Sequence, residues 1–228
     1  MLYGAAEYSH DLDLAVLGND KGLPQFSEAM QALDATVIAV PPFESQYLSR
    51  GHAVHFNVPG DTDATAATPL RVDIMSRMRG VAPFEELWAR RTTITLPDAA
   101  RTAEVTVELM ALEDLVTAKK TQCDKAWPML RRLVDASYDS DRDSEASAAQ
   151  AQFWLSELRS PEFLREAVER FPRDASQSTR NVVAVTVAGG DVADALAKEQ
   201  SAEMAADRVY WEPLCRELEL LRYAARRG

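Results

Sequence analysis

Asp11 and Asp13 stand two residues apart in the stretch SHDLDLAVL, whose other positions have the apolar character of a β-strand. Carboxylates are poor strand formers and costly to bury unpaired, so a core strand should not carry two at close spacing. On a strand, positions i and i+2 project to one face, so the two carboxylates point together while Leu12 and Leu14 point into a core. Adjacent carboxylates repel, and one takes up a proton unless a cation holds both. Hard divalent ions such as Mg²⁺ or Mn²⁺ suit oxygen ligands of this kind, and Mg²⁺ often uses one or two carboxylates together with substrate phosphates. The plainer alternative is a pair of solvated aspartates at a strand end.

A third carboxylate lies in similar surroundings. Asp73 sits in LRVDIM between Val72 and Ile74, again a charge embedded in a strand pattern. On a strand neighbouring the first, it would complete a three-aspartate cluster able to hold two metal ions. Such a pair, about 3.5–4 Å apart, clamps the attacking and leaving oxygens of a phosphoryl displacement. The alternative for Asp73 is an ion pair with Arg71, Arg77 or Arg79.

These aspartates need a sheet to position them, and the first part of the chain predicts one. LDLAVL, TVIAV, AVHFNV, LRVDIM and EVTVELM read as strands, interleaved with PQFSEAMQALDA, PFEELWARR and ALEDLVTAKKTQ as helices. The polar, acidic SYDSDRDSEAS then reads as a linker, and the chain beyond it as helical. Leu164, Val168 and Phe171 share one helical face, as do Leu214, Leu218 and Leu221, whereas NVVAVTV reads equally as a short strand. The expected class is α+β: a mixed sheet flanked by helices over 1–137, a linker over 138–148 and an all-helical region over 149–228.

Composition bounds the function. In 228 residues, 46% hydrophobic content supplies an ordinary globular core. A net charge of −11 argues against coating nucleic acid broadly but leaves room for a local basic site. Cys123 and Cys215 are too few for a disulfide framework or a cysteine zinc site, which points to a reducing cytoplasm. No apolar run is long enough to span a bilayer, and the first residues lack the basic-then-apolar pattern of a secretion signal, so no membrane partner is expected.

GAAEYSHDLDL, RVDIMSRMRG with PFEELWARRTT, and EDLVTAKKTQ with WPMLRRLVDA together resemble a bacterial nucleotidyltransferase family of the DNA polymerase β-like superfamily, near its minimal and toxin-associated members. Three separated motifs occur in order over roughly residues 3 to 137, and the resemblance does not reach the C-terminal helices. It implies that Asp11, Asp13 and Asp73 bind divalent metal ions and a nucleoside triphosphate such as ATP. Ser9 matches the small hydroxyl residue two positions before the first aspartate, and Lys119 matches a lysine that contacts phosphate or assists the reaction. Lys120 would add charge on the phosphates. Arg77 and the other arginines of SRMRG and WARRTT read either as a cationic rim for triphosphate or RNA or, more commonly for scattered helix and loop charges, as solvated side chains.

Two features depart from that pattern. A strand ending in a Gly-Gly or Gly-Ser turn, which cradles phosphate in the superfamily, is missing upstream of the LYGAAEYS segment, and a truncated start is the expected reason. Cys123 stands where arginine is expected and Ala126 where aspartate is expected. Elsewhere the plain readings are the expected ones. His10 projects away from the aspartates. His52 and His55 lack helical ligand spacing and read as ordinary, partly exposed histidines. Trp88 and Trp127 read as core residues, and Cys123 has no partner motif for a nucleophile.

The resemblance implies attack of an acceptor hydroxyl on the α-phosphorus, with pyrophosphate leaving. Asp11 and Asp13 would orient the triphosphate and Asp73 would help to activate the hydroxyl, each through bound metal. The acceptor class stays open among tRNA, protein and small molecule, and the acidic C-terminal helices favour a protein partner or a homodimer contact over a broad RNA surface. The competing expectation is a catalytically impaired, antitoxin-like binding module on the same fold. A weaker third is a metal-dependent phosphohydrolase.

Overall fold

Alternating β-branched and polar residues, punctuated by proline and glycine, give an α+β fold in the computed structural model, which describes residues 3, 11–19, 21–60, 69–98 and 102–227. Strands β1 (Asp11–Ala15), β2 (Thr36–Val37), β3 (Val54–Val58) and β4 (Leu70–Met75) form a mixed sheet in the order β1-β4-β3-β2. β1 runs parallel to β4, and β3 antiparallel to both β4 and β2. β4 is thus paired on both sides. Its inward residues Val72 and Ile74 sit opposite Phe56 and Val54, and all four are buried. Met30 of helix α1 (Gly22–Ala32) and Leu48 of α2 (Ser45–Arg50) cover this face, as does a cluster of Phe26, Phe43 and Phe56 with ring centroids 5.3–6.2 Å apart. Burying each such side chain is worth about 1.5–3 kcal/mol, which fixes the strand register that orients the opposite face.

Helix α2 has no signal in the sequence pattern. Its six residues end at Gly51, whose φ of 103° closes the helix while the Gly51 and His52 amides bond back to Leu48 and Tyr47. Helix α3 (Phe84–Arg90) follows, then a two-stranded antiparallel ribbon of β5 (Thr92–Pro97) and β6 (Glu104–Leu109), and α4 (Leu112–Ala118). β5, the run TTITLP, is a further strand beyond the five expected.

The chain divides into two compact units differently from the expected boundaries. Among the described residues, the sheet unit comprises those of 11–118 and 210–227, whereas Lys119–Val209, together with Tyr3, form the helical unit. That second unit contains α5 (Ala126–Ser140), α6 (Ala148–Glu157), α7 (Pro161–Arg170), α8 (Pro172–Gln177), α9 (Asn181–Val187) and the first half of α10 (Val192–Ala225). The acidic segment read as a linker is partly the last turn of α5 and partly a turn into α6, opened by the Ser147–Gln150 capping box. Its polarity reflects a solvated turn between helices of one unit. Tyr138 and Trp154, both fully buried, pack edge-to-face across α5 and α6 at 5.2 Å. NVVAVTV is helix α9. Val182 and Val183 are buried and the Thr186 hydroxyl bonds back to the Val182 carbonyl, so tertiary burial overrides the β-branched preference.

Candidate functional site

Register builds the site. Asp13 on β1 is the direct partner of Asp73 on β4, and Asp73 is in turn the partner of His55 on β3. One pair further along, Asp11, Arg71 and Asn57 form the adjacent row. All six project opposite to buried Val72 and Ile74, on the face away from the phenylalanine cluster. The sequence-predicted aspartates are therefore brought to one face of neighbouring strands.

Arg71 lies among the carboxylates. Its Nε is 2.7 Å from Asp73 Oδ1 and its Nη2 is 2.9 Å from Oδ2, a bidentate pair. His55 Nδ1 is 2.8 Å from Asp73 Oδ1 and 3.0 Å from Arg71 Nη2, so that ring nitrogen either donates to the carboxylate or accepts from the guanidinium. Burial pushes the Asp73 carboxyl up, but the hydrogen bonds from Arg71 and His55 outweigh it and hold the group below its usual range. The Arg71 guanidinium is held further toward its charged form by the Asp73 hydrogen bond, against a desolvation cost, with the fields of Asp73, Asp11 and Asp13 added. Asp11 and Asp13 are both exposed on β1, so solvent accommodates the two carboxylates as the plainer alternative expects, and the Arg71 charge adds a favourable field.

Of the two readings open for Asp73, the geometry shows the ion pair with Arg71. Among the described residues, no three His, Cys, Asp or Glu side chains are gathered so as to hold a metal ion as they stand. Lys119 and Lys120 begin the helical unit, where Lys120 Nζ is 2.7 Å from Glu157 Oε1. Arg77 is exposed in the loop after β4. Ser9 and His10 lie outside the described residues.

Other readings change. His52 is not partly exposed but fully buried, its Nε2 2.8 Å from Glu217 Oε2, and Arg50 reaches the other oxygen of Glu217 at 2.6 Å. The apolar turns of α10 after Tyr210 belong to the sheet unit, which takes His52 out of solvent. Trp88 is 47% exposed rather than core. It stacks on Phe84 and carries the Arg91 guanidinium at 4.1 Å, because the short α3 buries only Leu87. Trp127 is buried as expected, donating its indole N–H to the Thr121 carbonyl. In WARRTT, Arg90 grips Asp114 with two 2.6 Å bonds and Arg91 bonds Glu108 at 2.8 Å, so both carry carboxylate partners.

Sequence reasoning offered Arg71 as an ion-pair partner of Asp73 but missed His55 as a member of the site. Their in-phase spacing with Asp73 was visible within β4 and β3, but only the pairing register places them around one carboxylate. No family model, curated protein or solved structure matches the chain. No helix among the described residues is long and apolar enough to cross a membrane.

Proposed function

We propose that the chain is a metal-dependent nucleotidyltransferase, moving a nucleoside monophosphate from a nucleoside triphosphate to a hydroxyl acceptor. The observation that carries this reading is the β1–β4 register, with Asp13 beside Asp73 and Asp11 one pair away on the same face. The donor set fits a hard divalent cation, being carboxylate oxygen throughout, and the face already draws in one positive charge, that of Arg71. A divalent ion bound there supplies charge neutralisation at the triphosphate and acidifies the acceptor hydroxyl.

In this reading Asp11 and Asp13 hold the nucleotide end of the site and Asp73 the acceptor end. The acceptor hydroxyl gives its proton to solvent. Its oxygen bonds to the α-phosphorus as the bond from that phosphorus to the bridging oxygen of the β-phosphate breaks, and pyrophosphate carries the leaving charge away. The reading requires Arg71 to release Asp73, after which its guanidinium is placed to meet phosphate oxygens. Calorimetric titration of the full chain with each of the four nucleoside triphosphates, with and without Mg²⁺, tests it. Mg²⁺-dependent binding that Asp13→Asn abolishes is the expected result, and unchanged affinity in that variant would remove the assignment.

A second reading has its own support. The bidentate Arg71–Asp73 pair commits the third aspartate to a salt bridge, as a binding module that has given up catalysis would. Absence of binding by any of the four nucleotides favours that module.

A further inference from the structure

The chain carries a net charge of −11, yet its last described turns reverse the sign locally. After Glu219, residues 220–227 contain Arg222, Arg226 and Arg227 and no carboxylate. All three arginines are exposed, and none of them has an ion-pair partner among the described residues. Beside them Leu220 is 71% and Tyr223 55% exposed, and the Arg227 guanidinium lies 4.1 Å over the Tyr223 ring. Upstream, Glu217 ties the same helix to Arg50 and His52 within the sheet unit, so this cationic end is carried on an anchored helix.

A single cation in the last turn would satisfy the helix dipole. Three unpaired arginines flanking an exposed tyrosine do more. Guanidinium groups contact phosphate oxygens in pairs, and an aromatic ring backed by a cation is a stacking surface for an unpaired base. We infer that the Arg222–Arg227 end of α10 docks single-stranded nucleic acid, RNA in the first instance, by phosphate contact with the three arginines and base stacking on Tyr223. This binding does not rest on the proposed transfer reaction. Charge complementarity selects this occupant. Against a net charge of −11, this carboxylate-free stretch is where a polyanion meets favourable charge.

The test is fluorescence anisotropy of the full chain with a labelled 12-nucleotide single-stranded RNA. Binding at 50 mM salt is expected, weakening about 20-fold by 200 mM if three phosphates are engaged. Arg222→Gln/Arg226→Gln/Arg227→Gln should lose at least about tenfold in affinity, and Tyr223→Ala about fivefold or more. These exposed substitutions leave the fold intact, which circular dichroism verifies. Failure of the wild type to bind at 50 mM salt, equal binding by the triple variant, or stronger binding to anionic phospholipid vesicles than to RNA would each overturn the inference. Asp13→Asn should bind the RNA as the wild type does, so a failed nucleotide site and a failed RNA site are read separately.

Discussion

Arg71 and Asp73 are two residues apart on β4 and joined by two hydrogen bonds, so the strand that supplies the third candidate ligand also supplies its competitor. Because i and i+2 share a strand face, the pair forms without any loop having to close.

Replacing that competitor should expose the carboxylate. Arg71→Met is expected to raise Mn²⁺ affinity severalfold, read by electron paramagnetic resonance of free Mn²⁺. It should cost about 1 kcal/mol of stability, because the Arg71 side of the pair is half exposed and screened by solvent. A lower Mn²⁺ affinity in Arg71→Met would mean that Arg71 supports the site rather than competing for it.

Arg90 and Asp114 join α3 to α4, with the Asp114 side chain only 9% exposed. Truncating Arg90 leaves a nearly buried charge without its strongest partner. Arg90→Ala should therefore destabilise the sheet unit by about 2 kcal/mol, seen as a lower urea midpoint at constant slope. The double variant Arg90→Met/Asp114→Leu should recover most of that loss.

His52 and Glu217 link the end of α2 to the final turns of α10. Glu217→Ala removes partners from both His52 and Arg50, with an expected cost of about 2 kcal/mol. Hydrogen exchange should then quicken across 210–225. Gly51→Ala should be worse, since a Cβ there would lie 2.5 Å from the Tyr210 hydroxyl and φ is 103°.

Glu199 contributes to the acid sensitivity of the helical unit. Burial raises its carboxyl, but hydrogen bonding and charge from Arg180, then Arg159 and Lys120, hold it below the ordinary range. A depressed folded value means that its stabilisation is present above the unfolded carboxylate range and is lost as pH falls through the folded value. Unfolding free energy measured between about pH 6 and pH 3 should fall less steeply in Glu199→Gln than in the wild type. Parallel curves would exclude Glu199 as a contributor to that fall.

In the core of the helical unit, Trp154→Ala is expected to cost about 3–5 kcal/mol, because the indole is fully buried against Tyr138. Trp154→Phe should keep much of the packing and lose the indole bond to the Ser137 hydroxyl.

Features that repeat with a short period are legible in the residues alone. Alternation in LRVDIM and AVHFNV marks β4 and β3, and the i, i+2 spacing puts Asp11 and Asp13 on one face. Periodicity of 3.6 does the same for α1 and α4. What each face meets is set by the fold. That Asp13 pairs with Asp73, that Arg71 and His55 close around that carboxylate, and that the polar stretch after α5 is a turn all depend on long-range contacts. So does the assignment of the last turns of α10 to the sheet unit, which buries His52. Periodicity reports which side of an element is apolar. It carries no information about which other element covers that side, because burial free energy depends on the area removed from water and hardly at all on its partner's identity.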